Sequence, residues 1–212
     1  MKRAKAELLR EYGPFEDAPS IGGVTFDGER VWFAAGERLA ALDPESGAVV
    51  GAIDVAAHAG TAFDGRHIYQ IAGDVIRRID PATGALVATI PAPGKGGDSG
   101  LAYAEGALYV GQYRERCIHE IDPETGDIRR TIRSDRFVTG VSFVGDEFWH
   151  ATWEDEASEL RRIDPESGAV LETLEMPEGL TVSGLESDGG ERFFCGGGSS
   201  GKVRVVRRPS RG

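Results

Sequence analysis

Arg161-Arg162-Ile163-Asp164-Pro165-Glu166-Ser167-Gly168-Ala169-Val170-Leu171 is one of four near copies of a single stretch, and its reading decides the fold. The others run from Leu42 to Val49, from Arg78 to Leu86 and from Glu120 to Ile128. Their aspartates stand at 43, 80, 122 and 164, in steps of 37, 42 and 42 residues, and a period near 40 marks an array of supersecondary units. In each copy an apolar run reaches Asp-Pro, whose fixed φ suits a turn, and the Gly that follows can take positive φ before a second apolar run begins. That is a β-hairpin.

A second repeated element precedes each turn: Gly23 to Gly28, Gly60 to Gly65, Gly100 to Gly106, Gly140 to Gly145 and Gly184 to Gly189. Each ends in Asp-Gly or a substitute and leads into Val31-Trp32, Ile68-Tyr69, Leu108-Tyr109, Phe148-Trp149 or Phe193-Phe194, which reads as another hairpin. Two hairpins per repeat predict an all-β chain: a five-bladed β-propeller of four-stranded antiparallel blades. The blades span about 21–55, 58–92, 99–133, 139–176 and 183–207, in a single domain. The last repeat, ending in a worn copy of the turn from Lys202 to Gly212, lacks an outer strand, whereas Glu7 to Tyr12 resembles Val170 to Leu174. Residues 6–12 are therefore expected to pair near 202–207 and close the ring, leaving no free edge there.

Bulk properties narrow the function. The chain has 24 basic and 35 acidic residues, a net charge of −11, which opposes nucleic acid and anionic membranes. The basic start Met1-Lys2-Arg3-Ala4-Lys5 is followed by no apolar run of signal length, and a cytoplasmic monomer is expected. Cys117 and Cys195 form no CxxC and read as buried thiols. The repeated aspartates serve their own turns. No metal-ligand spacing is present, and no metal or cofactor is expected.

In a repeat protein, function is sought where one blade departs from the column defined by its siblings. The second strands end on Gly36, Gly73, Tyr113, Trp153 and Gly198, so blades 3 and 4 place two aromatics at one mouth of the channel. The stretches that follow, Gln112-Tyr113-Arg114-Glu115-Arg116 and His150 to Glu159, read as long polar loops, the usual seat of a site. Connections between blades bring His58, Asp98, Ser99, Thr139 and Ser183 to the same end. Inside the channel the column Thr25, Ala62, Ala102, Ser142, Glu186 has one carboxylate, either an acid/base with a raised pKa or a structural group. The expected ligand contacts are Tyr113, Trp153, His58, Asp98, Gln112 and Arg114; the candidate catalytic groups are Glu186, Glu154 and His150.

The pattern from Ile79 to Ile90 resembles repeats of the YVTN, NHL and PQQ-like propellers. Ser99 to Tyr103 through Pro123, and Phe148-Trp149-His150-Ala151-Thr152-Trp153 through Pro165, resemble blades of the five-bladed glutaminyl-peptide cyclotransferases. The resemblance implies the propeller, a pocket at the mouth and an aromatic contact at Trp153. In the first blade Ile21-Gly22-Gly23-Val24 and Phe33-Ala34-Ala35-Gly36 stand where that family carries Thr-Gln-Gly-Leu and Glu-Ser-Thr-Gly-x-Tyr-Gly. A carboxylate for cyclisation would have to come from Glu186, Glu154 or Asp98. Three classes stay open: a cyclotransferase-like enzyme, a noncatalytic binding or scaffolding propeller that recognises a peptide or metabolite, and a ring without activity.

Overall fold

The Asp-Pro turns form as their residues dictate. In the computed structural model, which describes residues 2–210, Asp43 Oδ1 accepts the N–H groups of Glu45 and Ser46 at 2.8 and 2.7 Å, and Gly47 holds φ at 78°. Asp80, Asp122 and Asp164 repeat the arrangement, with Gly84, Gly126 and Gly168 in the left-handed region. A β-carbon disfavours that region, so glycine is the natural occupant. Arg211 and Gly212, the end of the worn turn copy, lie outside the described residues, as does Met1 of the basic start.

The described residues contain strands and turns and no helix. The chain opens with β1 (Lys2–Lys5) and β2 (Leu8–Tyr12). Blade 1 comprises β3 (Val24–Phe26), β4 (Val31–Ala34), β5 (Leu39–Leu42) and β6 (Val49–Ile53). Blade 2 has β7 (Thr61–Phe63), β8 (Ile68–Ala72), β9 (Val75–Ile79) and β10 (Leu86–Pro91). Blade 3 has β11 (Asp98–Ala104), β12 (Ala107–Gln112), β13 (Cys117–Ile121) and β14 (Ile128–Arg133). Blade 4 has β15 (Phe137–Val144), β16 (Glu147–Glu154), β17 (Ala157–Ile163) and β18 (Val170–Glu175). Blade 5 is β19 (Gly184–Ser187), β20 (Arg192–Gly196), β21 (Val203–Arg207) and, as its outer strand, β2. These five antiparallel sheets form the expected propeller.

Closure takes the form read from the repeats. β2 pairs antiparallel with β21, Tyr12 opposite Val203, and Tyr12 is buried with its hydroxyl donating to the carbonyl of Pro44 in blade 1. β1 was not foreseen: it adds to blade 4 as a fifth strand, parallel to β18, with Lys2 opposite Glu172.

The core lies in the five seams between blades. Phe194 and Val205 of blade 5 pack with Phe33 and Leu42 of blade 1; Trp149 and Leu160 of blade 4 pack with Phe193 and Val206 of blade 5. Each such side chain contributes about 1.5–3 kcal/mol by leaving water. Cys117 and Cys195 are buried and free.

The glycines that open the inner strands form a closed ring of contacts. A Cβ on Gly23 would lie 2.8 Å from Gly60 Cα, on Gly60 2.9 Å from Gly100 Cα, and on Gly100 2.8 Å from Gly140 Cα. The ring continues from Gly140 to Gly184 and from Gly184 back to Gly23 at 2.9 and 2.7 Å. Backbone meets backbone at every blade boundary. Five strands in van der Waals contact, about 4 Å apart, leave on the axis a gap of roughly one water.

One expectation is corrected. The long polar loop read from His150 to Glu159 is strand: β16 pairs with β17 as far as Glu154 opposite Ala157. Only Asp155 and Glu156 turn, with φ of 48° and 61°, as a tight two-residue hairpin requires.

Candidate functional site

A cavity of about 400 Å³ opens at the end of the ring where the inner strands begin. Its floor is set by the glycine ring, because the residues just before the ring glycines, Gly22, Ala59, Ser99, Thr139 and Ser183, all line it. Two β-bulges shape this level. Register shifts between Asp98 and Leu101 in β11, and between Val138 and Gly140 in β15, release Ser99 and Thr139 from regular pairing. Bulges commonly re-aim side chains beside sites.

Of the residues singled out from sequence, His58, Asp98, Tyr113 and Trp153 come together around this cavity. Tyr113 stacks on Phe137 of the next blade with centroids 4.7 Å apart, and the Arg116 guanidinium lies 4.3 Å from the Phe137 centroid. Phe137 pairs across the strands with Trp153. Phe137 thus stacks on one aromatic wall and sits opposite the other in the strand register. His58 is half-exposed and stands 3.7 Å from Glu37.

Asp98 is buried. Both its carboxylate oxygens accept the Gly94 N–H at 3.1 Å, and the Gln112 amide donates to Oδ1. Desolvation dominates these donors and pushes its pKa up to about 6. Gln112 thus holds Asp98 in place, and with Arg114 it lines a neighbouring cavity of about 410 Å³ that shares Asp98 and Tyr113 with the first. Thr139 is buried at the mouth, and its hydroxyl makes no hydrogen bond to the described residues. Buried polar atoms are otherwise almost always satisfied by protein or water.

The candidate catalytic groups are not brought together. His150 is only 1 % exposed, sealed in the interior of β16 and absent from the cavity wall; burial and the Arg161 charge push its pKa down to about 3, so its ring is neutral. Glu154 is engaged by Arg116 at 3.0 Å and does not line the cavity. Glu186 lies two residues past Gly184, on the opposite side of the glycine ring from the mouth. Its carboxyl accepts Thr25 Oγ1 of blade 1 at 2.9 Å, Ser142 Oγ of blade 4 at 2.8 Å and its neighbour Ser187 N–H at 2.8 Å. Desolvation, opposed by these donors, raises its pKa to about 7. It spans three blades as a cross-channel tie, apart from Tyr113 and Trp153.

Phe137 escaped the sequence reading. It stands three residues before its ring glycine, in the column Ser20, Ala57, Gly97, Phe137, Thr181, where it is the sole aromatic. Extending the search for exceptions by one more column would have found it.

The fold recurs among solved structures. Glutaminyl cyclase from Myxococcus xanthus superposes with a TM-score of 0.80 at 19 % identity, covering 97 % of both chains. Hydrazine synthase from Kuenenia stuttgartiensis matches at TM-score 0.52 and 20 % identity over 84 % of this chain and 55 % of that one, and U3-55K at 0.58 and 11 % over 96 % and 98 %. At these identities the likeness shows the fold. No curated protein matches the sequence. The PQQ_2 family model, described as outer membrane protein assembly factor BamB, matches residues 71–212, more than half of the chain. The chain belongs to that family of repeat propellers.

Proposed function

We propose that the chain binds a small molecule or the end of a peptide at the channel mouth, between the aromatic walls of Tyr113 and Trp153. The observation that carries this reading is the cavity itself. It falls within the size range of ligand pockets, is floored by the glycine ring, and combines aromatic surface with the desolvated Asp98 and the unpartnered Thr139 hydroxyl. A ligand amine would fit this set, since a nearby positive charge favours the carboxylate form of Asp98 and aromatic faces attract cations. Affinity for such a ligand rises as pH passes upward through about 6, where Asp98 ionises.

A second reading is supported by the same carboxyl. In cyclisation of an N-terminal glutamine, the amine nitrogen bonds to the side-chain amide carbon, the C–N bond to the amide nitrogen breaks, and ammonia leaves with a proton from the attacking amine. A group titrating near 6 beside an aromatic pocket is suited to carrying that proton. The likeness to the Myxococcus enzyme makes glutaminyl peptides the first substrates to try.

The test is a thermal-shift screen of the chain and its Trp153→Ala variant against glutaminyl peptides, amine metabolites and unrelated controls. Stabilisation by a ligand, lost in the variant, is expected. Ammonia release with glutaminyl peptides would add catalysis. A hit of equal size in the variant would remove the site from the mouth.

A further inference from the structure

β1 and β2 are consecutive strands held by different forces. β2 places Tyr12 and Leu8 against the core. All four residues of β1 are exposed, and β1 is held by backbone pairing to β18 and by ion pairs. Lys2 Nζ lies 3.0 Å from Glu172 Oε1, Arg3 Nη1 2.9 Å from Glu175 Oε1, and Arg3 Nη2 3.4 Å from Glu159 Oε1.

The receiving carboxylates are built into the blade. Glu159 and Glu172 are 6 % and 5 % exposed, and each gives one oxygen to an arginine of β17. Arg161 Nε meets Glu159 Oε2 at 2.6 Å, and Arg162 Nε meets Glu172 Oε2 at 3.5 Å, leaving both Oε1 atoms directed at β1. The outer edges of the other early blades lack this chemistry: β14 carries Arg129, Arg130 and Arg133, while β6 and β10 carry no charge.

We propose that the outer edge of blade 4 is a strand-addition site for extended basic segments of other polypeptides, of the pattern Lys-Arg-x-Lys, and that β1 is its internal, displaceable occupant. Main-chain pairing along β18 supplies affinity, and the oriented carboxylates select basic side chains, the division of labour of strand addition generally. Displacement is possible because β1 buries no apolar side chain and its Lys2 and Arg3 heads stay open to solvent, while an incoming basic strand restores the partners of the buried carboxylates.

The test uses the full chain carrying Lys2→Glu and Arg3→Glu, which loosens β1, titrated with a fluorescent peptide of residues 2–7 and with a charge-reversed control. The loosened chain is expected to bind the basic peptide roughly tenfold or more tighter than the parent chain, because a site mostly filled in cis weakens any competitor by its unfilled fraction. Binding should weaken in high salt and with Glu172→Gln. Equal binding of the control peptide, no saturable binding, or indifference to Glu172→Gln would overturn the proposal. A concentration-dependent dimer of the parent chain that buries this edge would replace the outside partner with a second copy. Hydrogen exchange on the parent chain gives a check independent of the variants: Arg3 to Lys5 amides should exchange well before those of Leu8 to Tyr12. Equal protection would show that β1 does not leave its place.

Discussion

The channel has two levels that share strands and differ in what the blades are allowed to vary. At the glycine ring every blade carries the same residue, because each must admit the backbone of the next within contact distance. One step above it the column reads Gly22, Ala59, Ser99, Thr139, Ser183, and the neighbouring loop ends add Tyr113 and Trp153. Packing fixes the lower level. The upper level keeps that constraint only at Gly22, whose Cβ would meet the His58 carbonyl oxygen at 2.5 Å, and its exceptions gather around one cavity.

That contrast is broken most severely by Gly100→Val. Its Cβ would meet Gly140 and Val141 backbone at 2.8 Å, and rigid backbone on both sides cannot yield. A loss of about 3 kcal/mol or more is expected in denaturant unfolding, against roughly 0.5 kcal/mol or less for Gly51→Ala, whose Cβ meets nothing within 4 Å. Equal effects would mean the ring is not close-packed.

Glu186→Gln probes the level below the ring. Because burial raises the folded carboxyl from 4.5 to about 7, the folded ring holds the proton more tightly than the unfolded chain. The stability this contributes is full below about 4.5 and is lost as pH climbs through about 7. The melting temperature of the parent chain, minus that of the variant, should therefore fall by several degrees over that interval. A flat difference would show that Glu186 does not titrate there.

Trp153→Ala tests the upper level. Its side chain is only half-buried, so a cost near 1 kcal/mol is expected alongside loss of the thermal shift from any mouth ligand. The smallest effect belongs to Thr139→Val, which removes a hydroxyl that has no partner. Stability should stay the same or rise by up to about 1 kcal/mol, while ligand affinity falls. A clear loss of stability would mean that the protein itself uses this hydroxyl.

The propeller was legible because its turn chemistry repeats: four Asp-Pro turns and five inner-strand glycines each encode local geometry without reference to the rest of the chain. Closure was legible for the same reason, as Glu7 to Tyr12 copies an outer strand. β1 was not, since Lys-Arg-Ala-Lys has no apolar face and pairs through backbone and charge alone. At the mouth, Tyr113 and Trp153 stood out as exceptions in a glycine column. His150 was misplaced because its column, which reads Phe33, Gln70, Val110 and Cys195 in the sibling strands, is buried in every blade, so the position belongs to the interior of the sheet packing and not to the mouth. Glu186 stands out in sequence as the one carboxylate of its column, but its position relative to the mouth depends on how closely the five glycines approach, which no single strand reveals.

The glycine ring also governs traffic. A gap of about one water across the axis makes the mouth a cul-de-sac for anything larger. Whatever enters must leave by the same opening, so successive occupants exclude one another. If the ligand is converted there, the product competes directly with the next substrate, and its release sets a ceiling on turnover.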